Sequence, residues 1–415
     1  MSGRATLIQQ ETFICAPAAG WPSALSVDLL YELITLIFWV WIGLKPLLVI
    51  LFSNNPAVAT LVRAIGDTSF LAVLLFLVLL DSSRGVPRVE SPRTMATVAA
   101  LALIIWSGLT LLWLPQDLQS VAFGYWGNVF VDFAAMAIVL WRTSPARIVL
   151  ALTRGFAVGA TAFAIGVMLV VGSVGGRLGD SELLHPNMLA AEFSVALLLV
   201  GWLLVTCKSH GARVACTISI GVLGTALALT LSKTSLIATG VAMLVLFLNT
   251  KVSPRSKAAT LLLAGTAALL IFPWVYGRVN TVIDLDQVDT LTGRTEIWAE
   301  TWQMIEERPW TGHGFMSFRD LGPQLFPENR LVHAHNEWLD TWFTLGFVGV
   351  CLLAILYAAV FKNALGGSVP RAVKLLVLPL LTYLLIRSMT EVNIVSAYDG
   401  LPILYLLAKW EKSES

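Results

Sequence analysis

The sequence predicts an all-α integral membrane protein with about twelve transmembrane helices and a polar cap between the ninth and tenth. Three observations carry this. The chain is 57% hydrophobic and only 13% charged, with a mean hydropathy of +0.79, outside the range of soluble domains. Apolar stretches of the roughly 20 residues needed to cross hydrocarbon recur along the whole 415-residue chain. Basic residues alternate from one connection to the next.

In order, the expected spans are 30–52, 58–80, 94–114, 121–141, 148–172, 187–206, 212–231, 233–250, 257–276, 337–361, 372–387 and 393–410. Some carry a charge, namely Lys45, Arg63, Asp67, Asp132 and Glu192. With the N-terminus inside, the cytoplasmic connections hold fourteen basic residues: Arg84, Arg88 and Arg93; Arg142, Arg147 and Arg154; Lys208 and Arg213; Lys251, Arg255 and Lys257; Lys362, Arg371 and Lys374. The short loops opposite hold Arg177, Lys233 and Arg387. The positive-inside bias then sets the topology, with both termini cytoplasmic and 277–336 outside. Residues 1–20 lack the layout of a signal peptide, so the first span is expected to be an uncleaved anchor. Cys15, Cys207, Cys216 and Cys351 read as small buried hydrophobes. No internal repeat marks an inverted-repeat transporter, and no basic-aromatic pattern marks a nucleic-acid binder. The chain reads as one polytopic domain, 1–415, with the 277–336 cap folded against its outer face.

The cap concentrates reactive side chains, with Arg278, Arg294, Arg308, Arg319 and Arg330 and three of the five histidines, His313, His333 and His335. Within it, Trp298, Trp302 and Ile305 recur at i, i+4 and i+7, and Glu296, Glu300, Glu306 and Glu307 lie away from them. This predicts a helix over 294–307 lying along the membrane surface with its tryptophans down. Pro309 ends it. Arg294 precedes Trp298 by four residues and shares its membrane-facing side.

Arg177, Lys233, Arg278, Arg294, Arg308, Arg319, Arg330 and Arg387 are not explained by the positive-inside bias. Cations at an outer rim suit a lipid-borne anion such as a diphosphate; the alternative is snorkelling to headgroups or pairing with loop carboxylates. Arg294 and Lys233 are the leading candidates, with Arg177, Arg387 and Trp298 beside them. His335 lies just before a span, with Asn336 as a candidate N-cap. A neutral imidazole there can accept a proton from an incoming hydroxyl, although a capping or interfacial histidine is the alternative. His333 reads as structural and His313 as a turn residue. The His333/His335 pair lacks further zinc ligands, and Asp284 with Asp286 forms only a weak metal signal. No metal or cofactor is expected. His185 precedes a helix starting near Asn187 and reads as a capping turn. Glu391 reads as a neutralising partner for Arg387 one helical turn away.

Two segments resemble a known family. TGRTEIWAETWQMIEERPWTGHGF, followed by HAHNEWLDTWFTLGFVG, resembles the pattern of the O-antigen ligase and O-antigen polymerase family of bacterial membrane glycosyltransferases. That pattern is GR-x-x-x-W, then P-x-x-G-x-G, then HN-x-x-L with G-x-x-G. LSKTSL resembles its S-R-T element with lysine for arginine, and LHPNMLA its H-x-N helix start; the likeness covers about 180–395. It implies a GT-C-like helical fold in the bacterial inner membrane with a periplasmic active face. It also implies inverting, metal-independent transfer of a glycan from an undecaprenyl-diphosphate carrier. On this resemblance Arg294 contacts the diphosphate, Lys233 assists and His335 is the catalytic base, with Asn336 and His185 at the substrate site. A lysine forms no bidentate fork on phosphate. The S-K-T form and the H-G-F turn favour an exopolysaccharide polymerase, whose acceptor is another lipid-linked glycan and whose partners include other polysaccharide assembly proteins. A ligase acting on lipid A-core is the alternative, and a polysaccharide or lipid transporter is the alternative from another class.

Overall fold

The computed structural model describes residues 27–52, 56–83, 95–142, 145–171, 173–174, 176–179, 184–282, 294–325, 333–365 and 371–392. The expected span 393–410, Cys15, Asp284, Asp286 and Arg330 lie outside the described residues, as does the side chain of Arg278. The first half comprises α1 (Val27–Leu51), α2 (Pro56–Ser83), α3 (Met95–Thr110), a 3-10 turn at Leu111–Trp113, α4 (Gln116–Arg142) and α5 (Pro145–Val170). A two-stranded antiparallel hairpin follows, β1 (Ser173–Val174) and β2 (Arg177–Leu178). Then come α6 (Pro186–Thr206), α7 (His210–Leu229), α8 (Lys233–Asn249) and α9 (Pro254–Val282). The cap contributes α10 (Arg294–Glu307) and α11 (Phe318–Leu325), and α12 (Glu337–Leu365) and α13 (Arg371–Ser388) complete the set.

The protein is an all-α membrane protein. Among the described residues seven helices are long and apolar enough to cross a bilayer, and Ala64–Leu80 and Lys233–Asn249 are shorter apolar helices. The expected spans 257–276 and 372–387 are helical within α9 and α13. The hairpin and the eight-residue α11 went unread in the sequence because both are short, although Phe318, Leu321 and Leu325 recur in α11 at i, i+3 and i+7.

Two devices join the helices. In the first, α1 packs on α5 at backbone distance. A Cβ on Gly155 would lie 2.4 Å from the Leu36 carbonyl oxygen, and one on Gly159 the same distance from that of Val40. This is a G-x-x-x-G contact, which gains van der Waals packing where lipid offers no hydrophobic drive. In the second, tryptophan N–H groups bond across elements. Trp106 donates to the Leu345 carbonyl at 2.7 Å, Trp126 to Ile104 at 3.0 Å and Trp202 to Ala372 at 2.7 Å. Three of the intramembrane charges noted in the sequence, Lys45, Asp67 and Asp132, are also paired. The Lys45 ammonium sits 3.4 Å from Asp67 and 3.2 Å from Asp132, and Trp41 Nε1 donates to Asp67 at 2.7 Å. All three charged side chains are buried, so an unpaired partner would cost several kcal/mol, on the order of 3–5.

α12 holds the geometry that shapes the cap. It breaks at Gly346, where φ is 68° and ψ −174°, a conformation essentially restricted to glycine. The break frees backbone groups that a bilayer cannot satisfy. The Pro309–Gly314 turn satisfies them. His313 N–H donates to the Phe343 carbonyl at 2.8 Å, Gly314 N–H to Thr344 at 2.9 Å, and Phe347 N–H to Pro309 at 2.8 Å. The P-x-x-G-x-G and G-x-x-G elements are thus two halves of one joint.

Against this joint, α10 runs over Arg294–Glu307, ending before Arg308 as Pro309 requires. Its buried stripe differs from the expected one. Ile297, Thr301 and Ile305 face inward, Trp298 is half-buried, and Trp302 is 44% exposed, its ring edge-on to Trp342. The reason is the neighbour: α10 packs on α12, and the small Thr301, whose hydroxyl bonds back to Ile297, fits where an indole would not. The four glutamates are exposed as expected.

Candidate functional site

Four chain segments converge on one buried carboxylate, Glu391, just past the end of α13. Arg294, the first residue of α10, places Nη2 2.7 Å from Glu391 Oε1. Asn187, in the first turn of α6, donates Nδ2 to the same oxygen at 2.7 Å. His335 sets Nδ1 3.4 Å from Oε2. Arg177, delivered by β2, donates Nη2 to Asn187 Oδ1 at 3.0 Å and Nε to the Thr230 carbonyl at 2.9 Å.

Each position has a local cause. Pro186 at the first position of α6 and His185 as its N-cap, accepting the Asn187 N–H on Nδ1 at 3.2 Å, set the start of that helix and place Asn187 in its first turn. The capping role expected of His185 is what the structure shows. Asn336 caps α12, its Oδ1 accepting from Trp338 and Leu339 N–H at 3.0 and 3.1 Å, also as expected. Its Nδ2 donates to the Met389 carbonyl at 3.2 Å, tying the histidine loop to the end of α13. His335 has a positive φ of 51°, a strained state for a non-glycine residue. The strain is held by Ala334, whose N–H donates to buried Asp340 at 2.9 Å and whose carbonyl accepts Trp298 Nε1 at 3.0 Å. Trp298 is therefore a pin for the histidine loop.

The electrostatics follow from these contacts. Burial alone would push the Glu391 carboxyl up. The hydrogen bond and charge of His335, then the charges of Arg387 and His333, outweigh it and hold the group well below the usual carboxylate range. A carboxylate only accepts hydrogen bonds, so it favours the proton on His335 Nδ1 and leaves Nε2 as the free lone pair. His333 lies against His335, with ring centroids 4.2 Å apart, and accepts the His335 N–H on Nδ1 at 3.2 Å. Burial and then the neighbouring His335 push it down to about 3, so it stays neutral. Burial also lowers Arg177, with Glu391 opposing.

Two readings are corrected. Glu391 is more than a local partner for Arg387: its carboxylate bonds to Arg294 and Asn187, while the buried Arg387 guanidinium donates to the Asn187 and Val392 carbonyls at 3.2 and 3.3 Å. The His333/His335 pair also has a third potential ligand, since candidate atoms of His333, His335 and Glu391 all lie within 4.8 Å of one another. The surroundings do not fit a dication. Arg294 already occupies the carboxylate, and the charge of Arg387 acts on it. That field suits an anion.

Of the sequence candidates, the structure brings together Arg177, His185, Arg294, His335, Asn336 and Arg387. Lys233 is exposed at the start of α8, and among the described residues it makes no hydrogen bond or ion pair with this cluster. Arg319 is structural, donating to the Tyr125 hydroxyl at 2.6 Å and stacking over its ring. Asn187 and Glu391 were missed as functional residues. The only sequence signal for Asn187 was its place in H-x-N, and for Glu391 a lone carboxylate beyond an apolar helix.

Comparison with known proteins relates part of the chain to one family. Residues 218–354 match the family model described as O-Antigen ligase. Over 146 residues the chain is 32% identical to an O-antigen ligase of Pseudomonas aeruginosa, covering 35% of this chain and 33% of that protein. The chain thus spans about a third of the length of the curated relative it matches. Arg294, His333, His335 and Asn336 lie within the family match; Arg177, His185, Asn187, Arg387 and Glu391 lie outside it.

Proposed function

We propose that this chain, a member of the O-antigen ligase family by its residues 218–354, transfers a glycan from an undecaprenyl-diphosphate carrier to an acceptor hydroxyl at the outer face of the bacterial inner membrane. The observation that carries the reading is the contact of Arg294 and His335 with one buried carboxylate. That arrangement sets a cation for a leaving diphosphate beside an imidazole with a directed lone pair. The donor arrives activated. As the acceptor oxygen bonds to the anomeric carbon, the bond from that carbon to the diphosphate breaks, and the diphosphate departs with the bonding pair. Arg294 and Arg177 stabilise its developing charge. His335 Nε2 takes the acceptor proton, and Glu391 steadies the imidazolium through Nδ1. No step requires a metal.

The acceptor is either a second lipid-linked glycan, as in a polymerase, or lipid A-core, as in a ligase. The lysine at Lys233 and the His313 turn favour the polymerase, while the description of the matching family and of the Pseudomonas relative favours the ligase. One experiment tests both levels. Purified protein is given a defined undecaprenyl-diphosphate oligosaccharide in detergent, with and without lipid A-core. A longer lipid-linked chain identifies the polymerase, and a capped core the ligase. Absence of any new glycosidic product, with donor moved across vesicle membranes instead, would assign the protein to transport.

A further inference from the structure

A second groove lies at the opposite end of α10 from Arg294. Two cavities of about 500 and 340 Å³ share Trp113 and Arg308 in their walls. Trp310 and Glu307 line the first, and Asp320 and Ser317 the second. Trp310 is 66% exposed. Among the described residues the Arg308 side chain makes no ion pair or hydrogen bond. Ser317 is the telling residue. It is 1% exposed, and its hydroxyl has no hydrogen-bond partner. A buried hydroxyl left unmatched is costly, so a donor or acceptor from a ligand is the natural complement.

The lining has a definite chemistry. Indole surfaces offer apolar contact, while a guanidinium, two carboxylates and a hydroxyl offer both donors and acceptors. Glu307 and Asp320 would repel a phosphate drawn to Arg308. A polyhydroxylated ring matches, because its C–H face packs on indole and its hydroxyls both donate and accept. Position adds to this. α10 has 14 residues and is therefore about 21 Å long, with Arg294 at its start and Arg308 just past its end. That distance corresponds to several sugar units.

We propose that this groove is a saccharide subsite, holding a sugar of the glycan several units away from the carrier diphosphate. Its place in the reaction rests on the transfer reading above. The subsite selects for glycans long enough to reach it, so it sets the substrate length that the enzyme uses well.

The test uses the full chain in nanodiscs. Its probes are undecaprenyl-diphosphate oligosaccharides of one sugar and of several repeat units, and the carrier-free oligosaccharide of several repeats. Saturation-transfer NMR should show the carrier-free oligosaccharide binding the wild-type protein, and Trp310→Ala should abolish the signal. Trp310→Ala and Ser317→Ala should each raise KM for the long donor on the order of tenfold, the scale of losing one aromatic or buried polar anchor. The one-sugar donor should be used unchanged, which also shows that the variants are folded. Oligosaccharide binding by the wild type without turnover of either donor would sink the transfer reading and leave the subsite standing. Turnover without oligosaccharide binding would overturn the subsite. Equal impairment on both donors, or phospholipid that co-purifies with the wild type and is lost in Trp310→Ala, would assign the groove to a lipid headgroup and also overturn it.

Discussion

At the residue scale the site is governed by Glu391, and its contacts divide the work. In the proposed reaction Arg294 holds the most direct line to the leaving group. Removing a cation that stabilises developing charge costs on the order of 3 kcal/mol, about a hundredfold in rate, so Arg294→Ala should fall by that much while remaining folded. Full activity of Arg294→Ala in a purified transfer assay would remove the diphosphate role. His335→Ala should lose turnover while still binding donor, and His333→Asn should lose much less, since His333 supports the loop without offering the base. Glu391→Gln keeps the shape but removes the charge that steadies imidazolium, so it should lower kcat more than it raises KM. The pH dependence of stability gives a separate check. A carboxylate with a depressed native pKa contributes stability that is fully present above its unfolded value, near 4.3, and lost as pH falls through the native value. The Tm gap between wild type and Glu391→Gln should therefore stay level from about pH 8 to about pH 5 and shrink only in stronger acid. A gap that closes near neutrality would mean that Glu391 is not held ionised by its partners.

At the element scale the joint between α12 and the Pro309–Gly314 turn decides where the site sits. A Cβ on Gly346 would lie 2.2 Å from the Trp310 carbonyl oxygen, and one on Gly312 2.5 Å from Gly346 N. Neither neighbour can yield, because both are backbone, and Gly346 has a backbone conformation that other residues scarcely adopt. Gly346→Ala should cost on the order of 3 kcal/mol or more, seen as a lowered Tm and loss of the joint. Gly240→Ala, in α8, is the control, because an added Cβ there meets no atom within 4 Å. Equal tolerance of both substitutions would refute the joint. The same scale explains the shifted stripe of α10. Periodicity found the helix and its end, but which of two adjacent stripes turned inward was settled by the surface of α12.

At the scale of the whole molecule, the proposed arrangement places the catalytic cluster and the cap on the outer face. A Gln324→Cys variant, made in a chain stripped of its other cysteines, should react with an impermeant thiol reagent in intact cells. Reaction only after the inner leaflet is opened would invert the topology. The crowd of guanidiniums around Glu391 predicts that transfer survives EDTA. A large loss restored by zinc or another transition metal would instead assign His333, His335 and Glu391 as ligands, and restoration by magnesium alone would point to Asp284 and Asp286.

The sequence by itself determined the membrane class, the helical order, the helix over 294–307 and its stop at Pro309, the caps at His185 and Asn336, and the pairing of Arg294 with His335 as candidates. These rest on local rules, namely hydropathy over one span, proline geometry and capping chemistry, or on a family pattern whose spacing is short. Only the tertiary structure decided that Glu391 is their common partner, that Arg177 arrives by way of a hairpin, that Lys233 stays exposed, and that Trp298 bonds across elements to the Ala334 carbonyl. Asn187 and Glu391 are 204 positions apart yet share one hydrogen bond. No window of sequence contains both. The meeting of α6, α10, α12 and α13 is set by which helix faces pack, and the sequence records that only in the summed fit of all of them.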